Sequence, residues 1–176
     1  ATAGVCLPTA GAEEFGDMYF FNLFDNHADS LSGNYYDPEV AAEIAKIADK
    51  RTVRMVDHYT ALTPVNDGFE VGMTYANYNI NVYTKNPQRY IQELAEYQAA
   101  ANENGFEDVT LGAFEINSGD YTGQIMVVIQ APTAVRLGEF FDAGEEAWNV
   151  AASAKFPKLR KLKRGFLMTC EIVYAR

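Results

Sequence analysis

Two histidines and three carboxylates in the first third of the chain could form a metal site. Asp25, His27 and Asp29 alternate at the end of a predicted strand, so their side chains would point the same way if the strand continued. His58 would be a fourth ligand, because imidazole nitrogens and carboxylate oxygens both bind divalent metals, and Asp57 could orient it. The same segment, DNHADS, is also ordinary turn composition. A solvated turn without metal is therefore the alternative.

A second candidate site is one face of a predicted strand, Tyr75–Thr84. Phenol and amide side chains recur there at every second residue, namely Tyr75, Asn77, Asn79, Asn81 and Tyr83. They supply hydrogen-bond donors and acceptors along roughly 27 Å of strand. Inside a barrel they would bind a small polar or aromatic molecule, and against another chain they would form an interface. Facing water, they would be an ordinary polar strand face.

No motif in the chain indicates a reaction. The sequence has no phosphate-binding glycine loop and no nucleophile elbow. Glu115 and Glu171 on predicted strands, or Glu139 with Asp142 on a predicted helix, could serve as acid–base groups. With 24 acidic residues such pairs arise readily, so a surface role is the expectation for each. Catalytic residues are therefore unknown, and no cofactor is predicted.

Residues 75–176 contain the elements that must position the polar strand face. The intervening residues of the same strand, Tyr78, Ile80 and Val82, lie on its other face, as expected of a half-buried strand. Asn86 and Pro87 are typical of a helix start, where Asn caps and Pro needs no partner for its nitrogen. The predicted elements that follow are a helix ending at Asn104-Gly105, strands at Val109–Ile116 and Tyr121–Gln130, a helix opened by Pro132, and a last strand at Phe166–Tyr174.

This β-α-β-β-α-β order resembles the ferredoxin-like fold, and specifically the dimeric α+β barrel superfamily. In that superfamily two such sheets pack face to face, within one chain or between two. The resemblance rests on element order and covers little more than half of the chain. It implies an α+β fold with a four-stranded antiparallel sheet and two helices, but it does not choose an activity.

The N-terminal part is expected to extend this unit within one compact domain. Residues 1–17 are predicted to be an extended arm, and residues 18–74 a β-α-β-type extension. Its elements are an apolar strand expected inside the protein at Met18–Phe24, a helix starting at Asp37-Pro38, a short strand at Thr60–Val65 and a turn at Asn66-Asp67-Gly68. The aromatic side chains expected in the core are Phe20, Phe21, Phe24, Phe140, Phe141 and Trp148.

Composition and charge exclude several classes of protein. The chain has 176 residues, of which 48% are hydrophobic, which suits a folded domain. No apolar run approaches the roughly 18 residues needed to span a bilayer. The net charge of −10 disfavours nucleic acid and anionic membranes as partners. A basic stretch, Lys155–Arg164, is expected to be a solvated loop. The alternative is that it docks on an acidic surface of a second subunit or another protein.

The cysteines and the first residues bear on the compartment. The segment ATAGVCLPTAGAEEF is rich in small residues, as the start of a mature secreted protein often is, although a chain trimmed at this point would look the same. In a secreted or periplasmic protein Cys6 and Cys170 could form a disulfide. It would close a very large loop and contribute about 4–5 kcal/mol in the chain-entropy model. Otherwise Cys170 is a buried thiol and Cys6 an exposed one.

Three hypotheses of function follow. The leading hypothesis is an exported, non-catalytic α+β protein that acts by association, as a homo-oligomer or with a protein partner. The second is an enzyme or binder for a small aromatic or polar molecule in the concavity of the sheet. The third is a metal protein that uses Asp25, His27, Asp29 and His58.

Overall fold

The computed structural model describes residues 1–32, 38–65 and 68–175, and its centre is one seven-stranded antiparallel sheet. The strands are β1 (Thr2–Ala10), β2 (Tyr19–Leu23), β3 (Tyr59–Ala61), β4 (Thr74–Tyr83), β5 (Thr110–Ile116), β6 (Ile125–Ala131) and β7 (Lys161–Tyr174). Their order across the sheet is β2-β1-β7-β4-β6-β5-β3, and every neighbouring pair is antiparallel. The predicted α+β class is confirmed. The predicted helix start at Asp37 and the turn residues Asn66 and Asp67 lie outside the described residues.

The helices follow capping signals in the sequence. They are α1 (His27–Ser32), α2 (Pro38–Ala45), α3 (Pro87–Glu103), α4 (Ala134–Asp142), α5 (Ala147–Ser153) and α6 (Phe156–Leu159). Helix α3 begins as predicted, because the Asn86 Oδ1 accepts a hydrogen bond from the Arg89 N–H at 3.0 Å and Pro87 occupies the first turn. The prediction that Pro132 opens the next helix is wrong. Helix α4 starts at Ala134, since the Thr133 hydroxyl supplies its N-cap.

One face of the sheet is covered by helices and is called the helix-side face here. On it, Ile80 and Val82 of β4 and Val127 of β6 pack with Leu94 of α3 and Phe140 of α4, all of them buried. The aromatic rings meet edge to face, as in the Tyr97–Phe140 pair at 6.0 Å. This layer is the main hydrophobic core, and it fixes which residues of β4 must face the other way.

The opposite face, called the inner face here, contains a second apolar cluster. Phe166, Met168 and Ile172 of β7 lie there with the disulfide bond between Cys6 and Cys170. The two cysteines are direct partners across β1 and β7 and are both buried. The predicted disulfide is therefore confirmed.

The N-terminal segments join the same sheet as the rest of the chain. The predicted arm forms strand β1, which pairs with both β2 and β7. The predicted strand at Met18–Phe24 exists as β2, but the expectation that it lies inside is wrong. It is the outermost strand, and Phe20 on it is 61% exposed. Phe24 and Phe141 are exposed as well, whereas Phe140 is buried as predicted.

The basic stretch Lys155–Arg164 is not a loop. Helix α6 occupies part of it, and β7 begins at Lys161 because Lys161 and Leu162 pair with the end of β4 beyond a bulge. Lys155 binds the carboxylates of Glu93 and Glu96 on α3. Eight of the ten residues of the predicted loop are therefore built into regular structure. Within the described ranges, no helix is long and apolar enough to cross a membrane.

Candidate functional site

The polar row predicted on β4 lies on the inner face, and most of it is covered. Because Ile80 and Val82 face the helices, the alternation of the strand turns Tyr75, Asn77, Asn79 and Asn81 to the opposite side. The exposed fractions are 7% for Asn77, 5% for Asn79 and 3% for Asn81, and Tyr75 is equally buried. Tyr83, at the end of the strand, is 48% exposed. The alternative in which the row faces water therefore fails for all of its members except Tyr83.

The neighbours of the three asparagines across the sheet are mainly apolar. Asn81 lies between Arg164 on β7 and Met126 on β6, and Asn79 lies between Phe166 and Val128. Asn77 is flanked by Met168 on β7 and Gln130 on β6. Four of the six neighbours are thus apolar: two methionines, one phenylalanine and one valine.

The amide groups of this row are poorly satisfied. The Asn77 Nδ2 lies 3.8 Å from the Cys170 Sγ, and the Asn79 Nδ2 lies 3.5 Å from the Met126 Sδ. Sulfur is a weak acceptor. The Oδ1 atoms of Asn77, Asn79 and Asn81 are buried, and no donor in the described part of the chain bonds to them. Each such buried acceptor costs about 1–3 kcal/mol, so three in a row need a physical reason.

An ion-pair cluster closes the Asn81 end of the row. The Arg164 guanidinium donates to the Glu13 carboxylate at 2.5 Å and to the Tyr19 hydroxyl at 2.7 Å. It also lies 4.6 Å over the Phe166 ring, on which the Tyr19 ring is stacked at 5.3 Å. The Tyr121 hydroxyl donates to the same Glu13 oxygen at 2.6 Å, and this bond raises the pKa of Tyr121. The charge of Arg164 is thus neutralised within the chain.

Tyr75 closes the other end of the row beside the disulfide. Burial raises its pKa to about 12, so its hydroxyl keeps its proton at neutral pH. Its ring lies 6.2 Å from the Phe69 ring, and Cys170 is its direct partner on β7. The row therefore runs from a phenol to an arginine cluster along β4.

The structure brings the two histidines together but not the predicted metal site. The rings of His27 and His58 are 5.2 Å apart, and the His27 Nε2 lies 3.5 Å from the Thr60 Oγ1. The predicted strand ends at Leu23 and His27 begins helix α1, so the alternation expected of Asp25, His27 and Asp29 is absent. The Asp29 carboxylate instead accepts a bond from the Asn26 Nδ2 at 2.8 Å. Among residues 1–32, 38–65 and 68–175 no three His, Cys, Asp or Glu side chains form a metal-binding group.

Asp57 does not orient His58 as predicted. The Tyr59 hydroxyl donates to its Oδ2 at 3.3 Å, while its Oδ1 is buried with no partner among the described residues. Desolvation by burial raises the pKa of Asp57. Gly119 lies against this carboxylate so closely that a Cβ there would be 1.7 Å from the Oδ1. Asp57 therefore belongs to the packing between β3 and the link from β5 to β6.

Sequence reasoning missed the Arg164 cluster. Glu13 and Arg164 are 151 residues apart, and no local pattern connects them. The one usable signal was the alternation of Arg164 and Phe166 on β7, which becomes visible only when the strand is extended to Lys161.

No protein-family model matches the chain, and a search of curated proteins finds no significant similarity.

Proposed function

We propose that this protein is an exported, non-catalytic binding protein that holds a small polar molecule on the inner face of its sheet. The observation that carries the proposal is the row of three buried asparagines, Asn77, Asn79 and Asn81, whose Oδ1 atoms have no donor in the described chain. A protein that only needed stability would have apolar residues there, since buried amides without partners cost free energy. Polar groups that oppose folding are typical of sites kept for a ligand.

The geometry of the row defines the class of ligand. Acceptor oxygens need donors, so the ligand carries hydroxyl or amine groups. Alternate residues of a strand are about 6.6–6.8 Å apart, so an elongated molecule of about 13 Å would span all three amides when it displaces the side chains that bury them. The stacked rings of Tyr19 and Phe166 offer a flat apolar wall to its carbon skeleton. A sugar, a polyol or a diamine meets these requirements.

Fold and compartment support the proposal. Strands β7-β4-β6-β5 lie in one antiparallel sheet, with α3 and α4 packed on the opposite face from the row. This arrangement supports assignment to the ferredoxin-like, dimeric α+β barrel type, in which the helix-free face is the interior of a barrel. The buried disulfide is consistent with an oxidising compartment, which supports export.

A ligand panel tests the proposal. Monosaccharides, sugar alcohols and diamines are screened by thermal shift against the wild type, against the double variant Asn77→Leu/Asn79→Leu, and against Asn22→Leu. Asn22 is an exposed asparagine on β2 and serves as the matched control. We expect at least one compound to raise the Tm of the wild type and of Asn22→Leu but not that of the double variant. Equal shifts for all three proteins would place the ligand elsewhere.

Self-association is a second candidate function, favoured by an exposed apolar patch. Leu7 of β1, Phe20 of β2 and Val173 of β7 are exposed on the helix-side face, at the sheet edge where β2 has only one neighbouring strand. Such a patch can meet its own copy across a two-fold axis. Sedimentation of the wild type and of Phe20→Ser tests this, with Val135→Ser as a control at an exposed site on α4. A monomeric wild type at high concentration would contradict it.

Three lysines offer a contact for an acidic partner surface. Lys158, Lys161 and Lys163 are exposed, whereas the body of the chain is acidic. We therefore expect any self-association to weaken as salt concentration rises, because screening reduces attraction between exposed charges. An association constant independent of salt would remove these lysines from the interface.

A further inference from the structure

A pocket of about 220 Å³ lies between the helix-side face of the sheet and helices α3 to α6. Five aromatic and five aliphatic side chains line it, and the aromatic ones are Tyr78, Tyr97, Phe140, Phe141 and Phe156. An apolar cavity of about 150 Å³ is enough to hold benzene, so this pocket has room for a substituted ring. It lies on the opposite side of the sheet from the asparagine row and is a separate site.

Arg160 places a cation in the wall of this apolar pocket. Its Nη1 donates to the buried Tyr90 hydroxyl at 2.7 Å, and its guanidinium carbon lies 4.8 Å over the Phe156 ring. These contacts hold the side chain half-buried beside the pocket. A guanidinium has five N–H donors, and the hydroxyl of Tyr90 uses only one of them.

Among the described residues Arg160 has no carboxylate partner, although the sequence contains 24 acidic residues. In the three described ranges, no Asp or Glu lies within salt-bridge distance of it. Arg136 and Arg164, which are also half-buried, each bind a carboxylate, at 2.9 Å and 2.5 Å. A partly desolvated guanidinium without a counter-ion is costly, and an anion beside it would be held strongly.

A hydroxyl lies in the same wall. Ser153 at the end of α5 lines the pocket, and within the described residues its hydroxyl forms no hydrogen bond. Asn149, one turn earlier, already accepts a bond from the Tyr97 hydroxyl at 3.0 Å. The pocket thus combines aromatic walls with one uncompensated guanidinium and one hydroxyl.

We propose that this pocket binds a small aromatic carboxylate. The ring lies between the sheet and the helices against Tyr97 and Phe140, and the carboxylate accepts hydrogen bonds from Arg160 and Ser153. Aromatic walls favour a ring over a straight alkyl chain because edge-to-face contacts add to apolar burial. The charge of the ligand supplies the anion that the described part of the chain does not place beside Arg160.

Fluorine NMR with a matched pair of probes tests the charge requirement. The probes are para-fluorophenylacetate and para-fluorophenylacetamide, which differ in the ionised group. We expect the wild type to bind the acid at least about tenfold more tightly than the amide, as loss of a charged hydrogen bond implies. Arg160→Gln should lose this preference and keep its affinity for the amide. Lys158→Gln, which removes an exposed charge nearby, should behave as the wild type.

A pair of glycine substitutions locates the bound probe. A Cβ at Gly144, which lines the pocket, would meet no heavy atom within 4 Å, so Gly144→Leu can fill the space without a backbone clash. Gly138 has the same freedom but lines a different, smaller cavity. We expect Gly144→Leu to abolish binding of the acid and Gly138→Leu to retain it. Equal affinity for acid and amide, an unchanged Arg160→Gln, or no binding at millimolar probe would overturn the proposal.

Discussion

Replacing Asn79 by leucine is expected to stabilise the protein. Asn79 is 5% exposed, its Oδ1 has no partner in the described chain, and its Nδ2 meets only a thioether sulfur. Leucine has the same number of side-chain heavy atoms and the same branching, but needs no hydrogen bonds. The substitution therefore removes an unsatisfied amide and adds apolar surface to the inner face.

The magnitude follows from three contributions. Removing the unpaired amide gains about 1–3 kcal/mol, and burying a leucine gains about 1.5–3 kcal/mol. The larger methyl groups crowd Phe166 and Val128 across the sheet, which costs about 1–3 kcal/mol. The expected net effect is a rise of about 2 kcal/mol in the free energy of unfolding, or about 4–8 °C in Tm for a chain of this length.

Urea unfolding and thermal scans of the ligand-free protein measure this change, with Asn22→Leu as the exposed control expected to stay within about 0.5 kcal/mol. A stabilised Asn79→Leu that also fails to bind ligand would identify the amide as a group kept for function. If Asn79→Leu instead lowers the free energy of unfolding by about 1 kcal/mol or more, the amide is bonded in the fold and the reasoning fails.

Two further predictions concern charge and cross-linking. Burial raises the pKa of Asp57, so its ionisation costs stability as pH rises. Asp57→Asn should therefore raise the Tm at neutral pH, with the difference vanishing in acid. The Arg136 guanidinium lowers the pKa of Asp108, so Asp108→Asn should lower the Tm at neutral pH, and its difference from the wild type should vanish in acid. If both variants change the Tm at neutral pH in the same direction, the two pKa shifts are assigned wrongly. Replacing Cys6 and Cys170 together by alanine should cost about 4–5 kcal/mol in urea unfolding, and a loss below about 1 kcal/mol would show that the disulfide does not constrain the unfolded chain.

The parts of the fold that depend on local signals could be predicted from the sequence. The alternation in β4 placed the asparagines opposite the core, and Asn86 with Pro87 marked the start of α3. The two cysteines also indicated a possible disulfide, with two thiols as the alternative, and the structure contains the disulfide. Each of these features is encoded within a few residues or by residue type, so no knowledge of the tertiary arrangement was needed.

The remaining features depend on distant parts of the chain. Strand β2 is apolar on both faces, and only its place at the sheet edge leaves Phe20 exposed. The sequence did not predict the first half of β7 as a strand, because Lys161 and Arg164 are charged. Its strand conformation comes from pairing with β4. Glu13 neutralises Arg164, whereas no described carboxylate pairs with Arg160, and both outcomes depend on tertiary packing that sequence periodicity does not show.

Side-chain NMR of the protein labelled with nitrogen-15 at asparagine tests most directly whether the buried amides of the row receive a ligand. The NH₂ signals of Asn77, Asn79 and Asn81 are assigned by substitution and followed while the sugars, polyols and diamines of the panel are added. We predict that one compound moves at least two of these three signals together, with saturation, and leaves the signal of Asn22 in place. Signals of the row that no compound moves, while exposed asparagines respond, would contradict it.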